Sequence, residues 1–200
     1  MKRDFFVVGM DFGTDTVRTI VADAGDGEVV GLSVKPYPRW ARGLYCDPLE
    51  NRFRHHPLDY LETLEASARE ALAQAGPAAA ARVRGIAADT TGSTPVFADA
   101  SGRPLSLAPG FEENPDAMFA LWKDHTAVAE AERINALARG WGGVDFTRYE
   151  GGVYSSEWFW AKAIHILEAD PAVARAAVTL LELCDWIPVA LTGTEDLRRI

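Results

Sequence analysis

Asp11-Phe12-Gly13-Thr14-Asp15 gathers a carboxylate, a residue with no side chain and a hydroxyl in one short stretch, and that set suits phosphate chemistry. A tight turn aims several backbone N–H groups into one concavity, which fits phosphate oxygens. Gly13 has no Cβ, so the backbone there can approach an anion closely, and Thr14 adds a hydroxyl donor. Asp11 is itself an anion, so its sensible task is to hold Mg²⁺, through water, against a transferring group. A plain polar hairpin turn would favour the same residue types for its geometry alone. Neither the Walker spacing nor the dinucleotide-binding spacing of glycines is present.

Three further stretches carry chemistry-bearing side chains. Asp89-Thr90-Thr91-Gly92-Ser93-Thr94-Pro95 lies just past the carboxyl end of an expected strand, where layered α/β folds place ligands. Thr91 and Ser93, around Gly92, offer a polyol both donors and acceptors, though an ordinary turn has the same composition. In Leu121-Trp122-Lys123-Asp124-His125 an indole can pack on the C–H face of a sugar while Lys123 and Asp124 bind hydroxyls. A core Trp followed by a solvated charge pair is the other reading. In Gly152-Val153-Tyr154-Ser155-Ser156-Glu157-Trp158, Ser156 and Glu157 read as a capping box, leaving Tyr154 as the candidate. Cys46 with His55 and His56 does not have zinc-site spacing, and Trp158-Phe159-Trp160 reads as helix packing.

The elements that must position these residues follow from periodicity and turn signals. Apolar, β-forming runs predict strands over Phe5 to Met10, Val17 to Ala22 and Glu28 to Val34, with a hairpin at Gly25-Asp26-Gly27. Leu58, Leu61, Leu64, Ala68 and Leu72 recur at helical spacing, so Pro57 to Gln74 is expected to be an amphipathic helix, closed by Gly76-Pro77. Val83 to Ala88 reads as a fourth strand. Pro95 to Ala98 and Pro104 to Leu107 read as a hairpin about Ala100-Ser101-Gly102. Met118 to Trp122 reads as a buried strand, and Thr126 as the cap of a helix reaching Ala138. A loop over Gly140 to Gly152 precedes helices over Glu157 to Glu168, Pro171 to Ala177 and Leu180 to Leu191. Strands first and helices interleaved later imply a layered α/β arrangement.

Bulk composition narrows the classes. The chain has 200 residues, 48% of them hydrophobic, enough for a sizeable core. Its net charge of -9 argues against nucleic-acid and membrane-surface partners, since an acidic surface repels phosphate backbones and anionic lipid. A local pocket for a nucleotide remains compatible with that charge. Two distant thiols, Cys46 and Cys184, form no disulfide framework, which points to a reducing cytoplasm. Asp4 and Asp11 interrupt the apolar start, so it does not read as a signal peptide, and no stretch has the length of a membrane span.

Taken together, these segments resemble the FGGY family of carbohydrate kinases, along nearly the whole chain. Asp11-Phe12-Gly13-Thr14 with Arg18 is similar to that family's opening phosphate turn. Pro38-Arg39-Trp40, Tyr45-Cys46-Asp47 and Phe53-Arg54-His55-His56-Pro57 resemble the branch that phosphorylates ribulose. So do Thr91-Gly92-Ser93-Thr94-Pro95, Leu121-Trp122-Lys123-Asp124-His125, Tyr154-Ser155-Ser156-Glu157-Trp158 and Glu182-Leu183-Cys184-Asp185-Trp186.

The resemblance implies a ribonuclease H-like (actin-like ATPase) α/β domain, with a mixed sheet flanked by helices. It implies that residues 1–200 are the amino-terminal sugar-binding domain, incomplete near its end, with the nucleotide domain and the aspartate base lying beyond Ile200. Asp11, Gly13 and Thr14 are then expected to serve ATP phosphate and Mg²⁺, with Arg18 supporting the turn. Thr91, Gly92, Ser93, Trp122, Lys123, Asp124 and Tyr154 are expected to serve the sugar. The implied reaction moves the γ-phosphoryl of ATP to L-ribulose, giving L-ribulose 5-phosphate in arabinose use, with this portion inactive alone. The implied partner is a small-molecule sugar, and a homo-oligomer at full length is compatible. A xylulose-kinase-like enzyme, a non-catalytic sugar-binding module and an actin-like scaffold are the rival readings.

Overall fold

Phe6, Val8, Met10 and Phe12 are buried while the residues between them are half-exposed, the two-residue alternation of a strand with one face on a core. They form β1 (Phe6–Phe12) in a computed structural model that describes residues 4–194 and 196–199. β2 (Thr16–Asp23) pairs antiparallel with β1, and β3 (Val29–Pro36) antiparallel with β2. The Gly25-Asp26-Gly27 turn joins β2 to β3, with Gly27 at φ +81°, a conformation that glycine adopts without strain.

His56 caps α1 (Pro57–Ala75), its ring Nδ1 accepting the Leu58 N–H at 3.1 Å, and Pro57 takes the first helical position. α1 lies across β2 and β3, where Thr19 and Ser67 share a buried hydrogen bond of 2.8 Å. A Cβ on Gly31 would collide with the Ala71 carbonyl oxygen, so the helix reaches this distance only because residue 31 has no side chain.

A single-turn helix α2 (Pro77–Ala80) then leads to β5 (Val83–Thr90), which lies parallel to β1. The sheet order is β3-β2-β1-β5. The short β4 (Arg54–His55) precedes α1 in the chain. It pairs with β7 (Phe119–Ala120), and β6 (Val96–Ala98) pairs with β8 (Thr179–Leu181). Below the end of β1, Tyr60 meets Phe119 edge-on at 5.2 Å, and Phe119 meets Trp186 at 5.1 Å. This aromatic layer ties α1, β7 and α6 (Leu183–Thr192) into one core.

The second half departs from the sequence expectations in five places. β6 takes its ladder from residues 179–181, while Pro104 makes an isolated β-bridge with Ala98 and Leu105–Leu107 form a 3-10 turn. Asp99 causes this: its Oδ1 accepts the Ser101 and Arg103 N–H groups and closes a tight turn where a hairpin was expected. The strand expected over Met118 to Trp122 contracts to Phe119–Ala120. α3 (Val128–Gly140) begins past Thr126, whose hydroxyl is taken by Asp124 at 2.6 Å, and α4 (Phe159–Ala169) begins past Glu157. Asp170 caps α5 (Pro171–Ala176), but Leu180 to Leu191 is not one helix: β8 occupies its start, and α6 follows Glu182.

α6 packs beside β5. Most of β5 is solvent-exposed, and Ile20, Leu32 and Val34 are exposed on the sheet face away from α1. Among the described residues no helix is long and apolar enough to cross a membrane.

Candidate functional site

The bend between β1 and β2 is set by the Gly13 N–H donating to Thr16 O at 3.0 Å. A Cβ on Gly13 would stand 3.3 Å from that same oxygen, so the turn is tightest with glycine. Arg18 Nη1 donates to Asp11 Oδ2 at 2.8 Å, and both side chains are well exposed. Asp11 is the register partner of Asp89 across the parallel β1–β5 pair, so two acidic positions lie side by side at the strand ends. Among the described residues no group of three or more His, Cys, Asp and Glu side chains is placed to hold a metal ion.

Two bonds fasten this bend to the other sequence motifs. The Thr91 N–H donates to Phe12 O at 3.1 Å, which sets the 91–94 turn beside the bend. The Trp122 indole Nε1 donates to Thr14 Oγ1 at 2.9 Å, so Trp122 meets the bend directly. A third bond, from Trp40 Nε1 to Asp15 Oδ1 at 2.6 Å, brings in Trp40, which the sequence reading left without a role. Lys123 lies over two rings, 4.4 Å from the Phe53 centroid and 5.4 Å from that of Trp40, so its ammonium rests on an aromatic shelf beside Trp122.

The 91–94 turn is held from within and from below. Thr91 and Thr94 share a hydroxyl bond of 2.9 Å, and the Thr94 N–H donates to Glu182 Oε2 at 2.9 Å. Ser93 sits at φ +54°, a left-handed conformation uncommon for a residue with a side chain. Gly92 faces open space. Burial pushes the Glu182 carboxyl up, against the opposing pull of the N–H groups it accepts. Glu182 opens the Glu182–Trp186 stretch, but its reach of 88 positions back to Thr94 has no local signal.

Tyr154 faces Ser93 and Glu182 across a cleft of about 560 Å³, with Trp158 and Trp160 as further walls. Asn135 grips it, accepting the Tyr154 N–H at 2.8 Å and donating to its carbonyl at 2.9 Å. The phenol oxygen accepts the Trp160 N–H at 3.0 Å, and burial raises its pKa. Ser156 and Glu157 do not form the expected capping box. His125 takes both, Ser156 Oγ at 3.1 Å from Nδ1 and Glu157 Oε1 at 3.2 Å from Nε2.

Asp124 is placed differently from its neighbours. It is fully buried, with Oδ2 accepting the Phe53 N–H and an Arg54 N–H and Oδ1 accepting from Thr126. It therefore holds the wall on which Trp122 stands and presents no oxygen to the cleft. Asp11, Thr14, Thr91 and Trp122 are linked by direct or next-neighbour bonds, and Ser93 with Tyr154 lines the adjoining cleft.

No protein-family profile matches the chain. It is 52% identical over 194 residues to a ribulokinase of Vibrio parahaemolyticus serotype O3:K6, covering 97% of this chain and 34% of that protein. A ribulokinase of Mycolicibacterium smegmatis is 36% identical over 197 residues, again with 34% of that protein covered. The chain thus spans about a third of the length of the curated relatives it matches. Among solved structures, xylulose kinase from Bifidobacterium adolescentis superposes with a TM-score of 0.68 at 18% identity, over 94% of this chain and 34% of that one. Plasmodium falciparum glycerol kinase with ADP gives 0.67 at 13%, with the same coverage. At these identities the likeness is one of fold, the actin-like ATPase arrangement of the sugar kinases.

Proposed function

We infer, from its kinship with the ribulokinases of the FGGY carbohydrate kinases, that this chain is the sugar-binding portion of an ATP-dependent L-ribulose kinase. The whole enzyme transfers the γ-phosphoryl of ATP to the terminal hydroxyl of L-ribulose, giving L-ribulose 5-phosphate and ADP. Such transfer depends on positioning and charge neutralisation more than on covalent chemistry. The observation that carries this reading is the Trp122–Thr14 bond, which joins an anion-binding bend to an indole wall.

Each residue then has a stated task. Backbone N–H groups about Gly13 and the Thr14 hydroxyl face phosphate. Trp122 offers its ring to the C–H face of the sugar, while Thr91, the open backbone at Gly92, Ser93, Lys123 and Tyr154 address its hydroxyls. The donor set fits Mg²⁺ in one specific way. Asp11 keeps a carboxylate oxygen beyond the one that Arg18 holds, with Asp89 as its register neighbour and, among the described residues, no third such ligand grouped with them. A hard cation that keeps most of its water and takes phosphate oxygens needs no more from the protein. When bound, it neutralises charge on the transferring group.

This portion contains no residue assigned as the general base, and such a base is typically worth about 10²–10⁴-fold. Calorimetry with L-ribulose, D-ribulose and D-xylulose, beside a coupled ATP-consumption assay, tests the reading. The expected result is binding of L-ribulose before the other two, without turnover. Failure to bind any ketopentose overturns the sugar-binding role, and ribulose-dependent turnover well above blank overturns the inactivity of the portion. A preference for D-xylulose moves the substrate to the xylulose branch.

A further inference from the structure

Lys162 belongs to none of the motifs that the sequence singles out, yet α4 buries it at 1% exposure beneath the cleft. Its Nζ donates to the carbonyl oxygens of Ser93, of Leu121 at 2.8 Å and of Ala120 at 3.4 Å. A buried ammonium satisfied by main-chain oxygens is costly to desolvate, and the usual means of offsetting that cost is a carboxylate in contact. The three carbonyls are what this arrangement serves. Ser93 O belongs to the turn after β5, and Leu121 O belongs to the residue immediately before Trp122.

The contacts close a ring. Trp122 bonds Thr14, Lys162 joins the residue before Trp122 to Ser93, and Thr91 bonds Phe12 back at the bend. We propose that Lys162 is a positioning residue of the sugar crevice: it pins the 91–94 turn to the Trp122 segment, fixing the spacing between the polyol wall and the phosphate bend. Its meaning for catalysis rests on the sugar-kinase reading, whereas the mechanical coupling does not.

Three donors are available only to the charged amine, and a neutral one has two. Burial lowers Lys162 to about 8, outweighing Asp124, Glu182 and Glu157, which favour the charge, while Arg54 opposes it. Raising the pH through that value should therefore release a carbonyl and loosen the ring.

The test uses the 200-residue chain with ¹³Cε-lysine and ¹⁵N labels; only Lys2, Lys35, Lys123 and Lys162 contribute lysine signals. The expected result is one Lys Cε resonance, assigned to Lys162, with a midpoint near pH 8, and the Ser93 amide and Trp122 indole resonances moving with the same midpoint. In Lys162→Met that shared transition disappears and both reporters are already displaced at neutral pH. Reporters that ignore the Lys162 titration overturn the proposal. Because this arm needs only the parent chain, it decides even if Lys162→Met does not fold.

L-Ribulose affinity should fall about tenfold between about pH 7 and about pH 9, the loss of roughly one charge-assisted bond, with far-UV circular dichroism unchanged. Equal affinity at both pH values and in Lys162→Met overturns the positioning role. Absence of ribulose binding with the coupled titration intact overturns the sugar reading and leaves the coupling standing.

Discussion

Asp124 answers to four donors, and the most demanding is Arg54, whose side chain is 1% exposed. Removing one partner of a buried ion pair leaves the other charged and unsolvated, a loss of about 3–5 kcal/mol. Arg54 keeps Asp116 at 3.2 Å, so Asp124→Ala is expected to lower stability toward the smaller end of that range in urea denaturation, before any question of ligand arises. Trp122 makes the contrasting case. It is 42% exposed and its indole reaches Thr14, so Trp122→Phe keeps an aromatic face but removes the N–H and shortens the ring system. Stability should fall by no more than about 1 kcal/mol, the worth of one internal hydrogen bond, while ribulose affinity drops several-fold as the sugar wall loses indole surface and its tie to the bend, which calorimetry would read. The two residues stand two apart in one motif, and their type alone does not tell which faces the ligand. Burial decides, and burial here depends on β4, which lies some seventy positions earlier at Arg54.

At the level of elements, the α1–β3 contact rests on the absence of one methyl group. Gly31→Ala would force the Ala71 carbonyl away, and overpacking of this kind typically costs about 1–3 kcal/mol. A fall in melting temperature, with sugar binding preserved in the folded fraction, is the expected outcome. The first four strands of the main sheet and α1 were legible from the sequence because their signals are local: alternation, a Gly-Asp-Gly turn, an amphipathic period. The later elements were less so. Residues 104–107 lose their expected strand to an Asp99-centred turn, and residues 179–181 gain one from pairing with β6, a partner more than eighty positions away. The four site motifs were legible as residue types, but what joins them was not. Lys162 and Glu182 act through main-chain atoms of distant segments, and such bonds leave no spacing to read.

For the molecule as a whole, one source of acid sensitivity is a fully buried ring, beside His56, which burial also lowers. Burial lowers His55 from 6.5 to about 3, and its Nδ1 shares a 2.8 Å bond with the Tyr60 hydroxyl inside the aromatic layer. Between those values the unfolded chain binds a proton that the folded chain refuses, so stability drains away as pH falls from about 6.5 toward about 3. Urea titrations across that range should show the decline in the parent and a shallower one in His55→Gln. The sheet also imposes an order of assembly. β1, β2, β3 and α1 follow one another and can meet as soon as they are made, but Phe6 finds its parallel neighbour only at Val83. Loop closure on that scale is slow compared with hairpin formation. The β1–β2 bend is thus available from an early hairpin, while the turn and indole beside it arrive only after the long crossover closes. A chain emerging from the ribosome would hold half of its crevice, open to solvent, for the time that the second half takes to be synthesised and to dock.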